Sequence, residues 1–110
     1  MPFRALADQT IVCIHRSIEK RLAPGQLADA LCVSLRTLER GLGETLGCTP
    51  RQLILAMKMR EARRLLLRGA RVGEVADRLG FANVFHFSRR FKAFYHVAPS
   101  EVRTVGSGAP

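Results

Sequence analysis

The chain repeats itself. Leu27-Ala28-Asp29-Ala30-Leu31 returns as Val75-Ala76-Asp77-Arg78-Leu79, 48 positions later. Leu38, Arg40, Leu42, Pro50 and Leu53 return as Phe87, Arg89, Phe91, Pro99 and Val102, 49 positions later. The second copy therefore holds one extra residue in its turn. A duplication on this scale in 110 residues gives two copies of one small unit, and the length leaves no room for two large domains.

Apolar residues recur at helical spacing and strand-like alternation is absent, so the fold class is all-α, with about seven helices. Ile11, Ile14, Ile18 and Leu22 predict a first helix over Gln9 to Leu22, stopping before Pro24-Gly25. A short helix around Gln26 to Leu31 and a break near Cys32 to Ser34 precede a helix from Leu35 to Leu46, expected to bury Leu35, Leu38, Leu42 and Leu46. Thr49-Pro50-Arg51-Gln52 combines a capping hydroxyl, a proline suited to the first helical position and a glutamine able to close a capping box. The helix it opens should run from Pro50 to Arg68 and stop at Gly69, burying Leu53, Met57, Ala62, Leu65 and Leu66. Helices from Val72 to Leu79 and, capped by Asn83, from Val84 to Tyr95 follow. The latter is expected to bury Phe87, Phe91 and Phe94. Pro99 to Arg103 makes a last short helix, and residues 105–110 read as a frayed tail.

Each copy thus pairs a short helix with a second helix across a tight turn. A small residue stands where the helices cross (Ala28, Ala76) and another at the turn (Cys32, Gly80). That is the pattern of a helix-turn-helix. The units are expected at about residues 24–47 and 72–95, joined by a linking helix at about 50–68 within one domain of residues 1–104. Each second helix then sets an arginine between two buried positions, Arg40 between Leu38 and Leu42 and Arg89 between Phe87 and Phe91. These arginines must point away from the core. The second helix of such a unit enters the major groove of DNA, where arginine pairs bidentately with guanine. A linking helix of this length spans ~28 Å at ~1.5 Å per residue, near the ~34 Å between successive groove windows on one face of DNA.

The charge agrees with a polyanionic partner. There are 18 Lys and Arg against 9 Asp and Glu, and 15 of the 18 are arginine, whose planar fork suits phosphate and guanine. Residues 51–103 hold twelve of the bases and only four of the acids, so the second half supplies most of the long-range attraction. Cys13, Cys32 and Cys48 are odd in number and widely spaced, which argues for reduced thiols in a cytoplasm rather than a disulfide framework. Cys13, His15, His86 and His96 offer only one close pair, too few for a structural metal. No apolar run is long enough for a membrane span.

The carrying stretches resemble the DNA-binding domain of the AraC/XylS-type bacterial transcription regulators. They are Val33-Ser34-Leu35-Arg36-Thr37-Leu38-Glu39-Arg40, then Lys58 through Leu66 with Ala62 and Arg63-Arg64-Leu65-Leu66, and above all three later stretches: Gly80-Phe81, His86-Phe87-Ser88-Arg89-Arg90-Phe91-Lys92 and Pro99-Ser100-Glu101-Val102-Arg103. The resemblance covers about Leu27 to Arg103. It implies two helix-turn-helix units that bind double-stranded promoter DNA and activate, less often repress, transcription in a bacterial cytoplasm. RNA polymerase is an expected further partner, and the isolated domain is expected to be monomeric. The resemblance also implies a separate effector-binding or dimerisation domain in most relatives, for which these residues have no room.

Carried over, the family's groove-facing positions are Arg36, Thr37, Glu39 and Arg40 in the first unit and Val84, Phe85, His86 and Arg89 in the second. Spacing agrees for Arg36 with Arg40 and for Phe85 with Arg89, each pair four apart. Glu39, three from Arg36, is equally readable as its ion-pair partner. Phe85 suits a thymine methyl if it points outward, and His86 is open between groove and solvent. Arg51, Ser88, Arg90 and Lys92 are the candidate phosphate contacts. Departures from the family pattern concentrate in the first unit: Leu42 in place of a Phe, Cys32 in place of a turn Gly, and Gly41 and Gly43 inside the recognition helix. Each glycine costs up to about 1 kcal/mol of helix propensity relative to Ala, so Ala at either position should stabilise the domain, although Gly41 could also let the backbone approach DNA. Lys58 stands where relatives often carry Arg, and Ala98 is a poor cap.

Two other readings compete. An enzyme would need a nucleophile, a base and an orienting acid at recognisable spacing, and none occurs; no cofactor motif is present either. A nonspecific nucleic-acid or acidic-protein binding module would need only the charge, and leaves the repeated outward arginine without a purpose.

Overall fold

The computed structural model describes residues 2–102; Met1, Arg103, the end of the last expected helix and the expected tail at residues 105–110 lie outside them. The described residues contain helices and no strand. In order they are α1 (Pro2–Arg16), α2 (Pro24–Ala30), α3 (Leu35–Thr45), α4 (Pro50–Leu67), α5 (Val72–Arg78) and α6 (Val84–Tyr95), followed by a helical turn at residues 99–102. They fall into two compact units, one up to Met57 and one from Lys58 onward.

The two helix-turn-helix turns are built alike. In the first, Cys32 N–H donates to Asp29 O and Val33 N–H to Ala28 O, both at 3.1 Å. In the second, Gly80 N–H donates to Asp77 O at 3.1 Å and Phe81 N–H to Ala76 O at 3.0 Å. Both are Schellman endings, which require a left-handed residue just past the helix. Gly80 takes φ 79° and Cys32 takes φ 58°. The first turn thus holds, without glycine, the conformation that the second reaches with one.

Start signals act as their chemistry predicts. Ser34 Oγ accepts from Thr37 N–H at 3.0 Å to open α3, and Asn83 Oδ1 accepts from His86 N–H at 2.8 Å to open α6. At α4 the capping box is complete: Gln52 N–H donates to Thr49 Oγ1 at 3.1 Å, and Thr49 N–H to Gln52 Oε1 at 2.9 Å. Ala98, without a side-chain acceptor, still donates its N–H to Glu101 Oε1 at 3.0 Å.

The first helix differs from the expected Gln9 to Leu22. It begins at Pro2 and ends at Arg16, because from there the bonds tighten to three-residue spacing, Ile18 N–H to His15 O and Lys20 N–H to Ser17 O. Its buried stripe is Leu6, Ala7, Thr10 and Ile14, and Ile11 faces outward. These residues pack with Leu27, Ala28, Leu38, Leu42 and Ile54, with Phe3, Ile18, Leu22 and Leu53 at the edge. Leu35 and Leu46, expected inside, are exposed at the two ends of α3, while Gly41 is buried.

Gly41 is small for a reason of packing. A Cβ there would stand 2.9 Å from Leu6 Cδ2 and 3.1 Å from Phe3 Cδ1, so it is α1, and not DNA, that comes close to the backbone. Gly43 has nothing within 4 Å of where its Cβ would be.

In the second unit Met59, Ala62, Leu66, Val75, Ala76, Leu79, Phe87 and Phe91 are fully enclosed. Aromatic rings run along α6, with centroids 5.1 Å apart for Phe81 and Phe87, 5.7 Å for Phe87 and Phe91, and 4.8 Å for Phe91 and Tyr95. Phe94, expected in this core, is exposed, stacking edge-on against Tyr95. The face is already filled by Phe87, Phe91 and Tyr95.

Candidate nucleic-acid interface

On α3 the side chains at Arg36, Glu39 and Arg40 are exposed, and Thr37 is half-buried. Thr37 is engaged in the helix cap: its hydroxyl accepts from Ser34 Oγ at 2.9 Å while its N–H donates to the same oxygen. Glu39 does not pair with Arg36. The ion pair on this face runs from Arg40 Nε to Glu44 Oε2 at 3.0 Å, with the Arg40 guanidinium also 6.0 Å from the centre of the Phe3 ring. Arg40 is thus aimed by two neighbours while staying in water. Glu44 and Phe3 were not singled out from the sequence, although Glu44 lies four residues beyond Arg40, a spacing at which side chains on one helix meet.

On α6, Val84, Phe85, Ser88, Arg89 and Lys92 share one face by helical spacing. Phe85 is 76% exposed, which settles its direction as outward, and Arg89, Arg90 and Lys92 are exposed too. Val84 and Ser88 are half-buried. His86 is exposed, its ring 5.9 Å from that of Phe81. Arg89 has no ion-pair or hydrogen-bond partner among the described residues. Arg51, at the opening turn of α4, is exposed.

The electrostatics of the two recognition helices differ. α3 carries Arg36 and Arg40 against Glu39 and Glu44, so its charges cancel. α6 carries Arg89, Arg90 and Lys92 and no acid. Elsewhere on the basic half, Arg64 donates from Nε to Glu61 Oε1 at 2.8 Å and from Nη2 to Oε2 at 2.7 Å, and this hydrogen bonding raises the Arg64 pKa further. No helix among the described residues is long and apolar enough to cross a membrane.

Two short-helix, tight-turn, exposed-helix units of the same construction define a tandem helix-turn-helix domain, with an exposed arginine-bearing helix in each unit. The family profile described as a helix-turn-helix domain matches residues 27–104. The chain is 30% identical over 101 residues to the HTH-type transcriptional regulator ArgR of Pseudomonas aeruginosa, covering 91% of this chain and 31% of that protein. It is 36% identical over 83 residues to the HTH-type transcriptional activator RhaS of Escherichia coli, covering 74% of this chain and 30% of that one. Among solved structures, an AraC-type transcriptional regulator from Chromobacterium violaceum superimposes with a TM-score of 0.84 at 25% identity, over 92% of this chain and 91% of that one. The DNA-binding domain of AdpA, solved with a target DNA, shares the fold with a TM-score of 0.84 at 22% identity, over 92% of each chain. The chain belongs to the AraC-type helix-turn-helix family of transcription regulators, and it spans about a third of the length of those two relatives.

Proposed function

We infer that this domain binds double-stranded DNA sequence-specifically, as the DNA-binding part of a transcription regulator, with α3 and α6 each lying in a major groove. The observation that carries the reading is the repeated arginine: Arg40 and Arg89 occupy equivalent exposed positions on helices that leave identically bonded turns. Arg36, Thr37, Glu39 and Arg40 read bases in the first unit; Val84, Phe85, His86 and Arg89 do so in the second. Phe85, apolar and exposed, suits a thymine methyl. Arg51, Ser88, Arg90 and Lys92 contact phosphate. The DNA-reading segments are residues 24–47 and 72–95, with residues 50–68 as the link that lets one chain address two adjacent grooves. The domain acts by binding rather than catalysis, as a monomer, on promoter DNA in the cytoplasm, and RNA polymerase is the partner through which bound DNA is activated.

The test is selection of bound duplexes from a random library against unrelated competitor DNA, repeated as salt rises. The enriched site should hold two elements about one helical turn apart. Arg40→Ala and Arg89→Ala should each cost about 1 to 3 kcal/mol and relax preference at different base pairs, whereas losing Arg51 or Lys92 should weaken all sequences alike. Affinity should fall steeply with salt. Binding indifferent to sequence would leave only a nonspecific module, and a flat salt response would remove phosphate contact altogether.

A further inference from the structure

Among the described residues Lys58 is the one charged side chain that is buried, at 8% exposed. It stands on α4 one turn from Ile54 and one turn from Ala62, both buried, a position where an apolar side chain would be expected. Burial pushes its pKa below the ordinary 10.5. A buried charge survives only where hydrogen bonds answer it. Here the ammonium Nζ donates to the Leu79 carbonyl at 2.6 Å.

Leu79 is the residue that ends α5. Carbonyls at such an end lack helical donors and carry the negative pole of the helix, so a cation there is doubly suited. Gly80 follows in the left-handed conformation, Phe81 bonds back to Ala76, and Asn83 opens α6. The ammonium therefore sits at the joint from which the second recognition helix departs. The first unit lacks this device. The buried polar side chain on the leading helix of the first unit is Thr10. Its hydroxyl donates to Leu6 O of its own helix at 2.6 Å and brings no charge to the end of α2. Leu31, the counterpart of Leu79, is partly exposed.

We propose that Lys58 is the positioning residue of the second recognition helix: by holding the Leu79 carbonyl it fixes the direction in which the Gly80 turn sends α6, so the selectivity of the second unit depends on a charge that never meets DNA. This rests on α6 being a DNA-reading helix. An apolar replacement fills the space but leaves the carbonyl unanswered. It should loosen the joint more than it lowers the melting temperature.

The experiment compares the chain with Lys58→Met and Lys58→Arg by two readouts. Residual dipolar couplings in the free protein report the angle between α5 and α6. Duplex selection reports base preference. Lys58→Met should shift those couplings and lose about tenfold in preference at the base pairs that Arg89→Ala also erases. The pairs read through Arg40 should be retained, and Lys58→Arg should restore both readouts. Unchanged couplings and preference, a loss shared equally by both sets of base pairs, or no rescue by arginine would each overturn the proposal. If Lys58→Met does not fold, Lys58→Gln, which keeps a donor without the charge, is read by the same criteria. Should the unaltered chain show no sequence preference, the DNA-reading assignment fails, and the couplings alone decide whether Lys58 sets the angle.

Discussion

Alanine at Gly41 and alanine at Gly43 should have opposite consequences, although both positions lie in α3 two residues apart. Helix propensity favours each replacement by up to about 1 kcal/mol. At Gly43 nothing lies within 4 Å of the new Cβ, so the full gain is kept. At Gly41 the Cβ would meet Leu6 Cδ2 at 2.9 Å and Phe3 Cδ1 at 3.1 Å, where comfortable carbon contacts lie at roughly 3.5 to 4.0 Å. The Leu6 methyl ends a flexible side chain and can yield; the Phe3 ring also lies beside the Arg40 guanidinium. Overpacking costs about 1 to 3 kcal/mol, which places Gly41→Ala between neutral and about 2 kcal/mol destabilising once the ~1 kcal/mol of propensity is returned. The two variants should therefore differ by about 1 to 3 kcal/mol, or several degrees in melting temperature at ~4–8 °C per kcal/mol for a small domain. Urea and thermal unfolding followed by circular dichroism measure this. In a Leu6→Val background, which removes the methyl opposite the new Cβ, the penalty at Gly41 should shrink. If Gly41→Ala stabilises as much as Gly43→Ala, α1 does not press on α3 at this point and the packing argument is wrong.

Replacing Cys32, held at φ 58°, by Gly should stabilise the first turn by at most about 1 kcal/mol, and a lower melting temperature would contradict strain there. Amides of α3 should exchange faster than those of α6 in free protein and gain more protection on DNA, since α6 is anchored by buried Phe87 and Phe91; equal protection would refute the asymmetry. Tyr95, the single tyrosine, has its pKa raised above 10.0 by burial, against opposing pulls from Arg63 and Arg60, and it shares a groove with Arg63 and Glu101. Its contribution to stability is complete below pH 10.0 and is lost as pH climbs through the higher folded value. A phenolate absorbance titration should place its midpoint above 10.0, and Arg63→Ala should move it up again; a midpoint at or below the ordinary value would contradict the burial.

The helix-turn-helix units were legible because their determinants are local. Ala28 and Ala76, the turn residues Cys32 and Gly80, and the caps at Thr49 and Asn83 each act within a few residues, and each does in the structure what its chemistry suggests. The first helix was misplaced because its core stripe is disguised. Thr10 is polar by type but satisfies its hydroxyl on its own helix and goes inside, whereas Ile11, which fits the expected apolar stripe with Ile14 and Ile18, faces outward. Leu35, Leu46 and Phe94 fit the period of their helices yet stand outside, because periodicity fixes a direction and not how far the neighbouring elements reach. The partners of the candidate site residues were legible only where spacing alone decides. Arg36 and Glu39 fit a helical pair, but Arg40 and Glu44 form one. Lys58 carried the clearest missed signal, a lone charge one turn from Ile54 and one turn from Ala62.

Charge on the two recognition helices suggests a division of labour within the proposed function. The charges of α3 cancel, while α6 carries three bases and no acid, so the phosphate attraction that is indifferent to sequence and sensitive to salt belongs mostly to α6. The Arg40–Glu44 pair engages Nε alone, so the outer nitrogens of the guanidinium stay open to a base while Glu44 holds its direction. An exposed pair of this spacing contributes only ~0.3–0.5 kcal/mol, so it adds little beside the ~1–3 kcal/mol of a good bidentate base contact. Arg89 has no ion-pair partner among the described residues, so its charge adds in full to the phosphate attraction. Within the proposed function the second unit therefore supplies more of the sequence-indifferent attraction, while each unit keeps its own base-reading arginine, Arg40 in the first and Arg89 in the second.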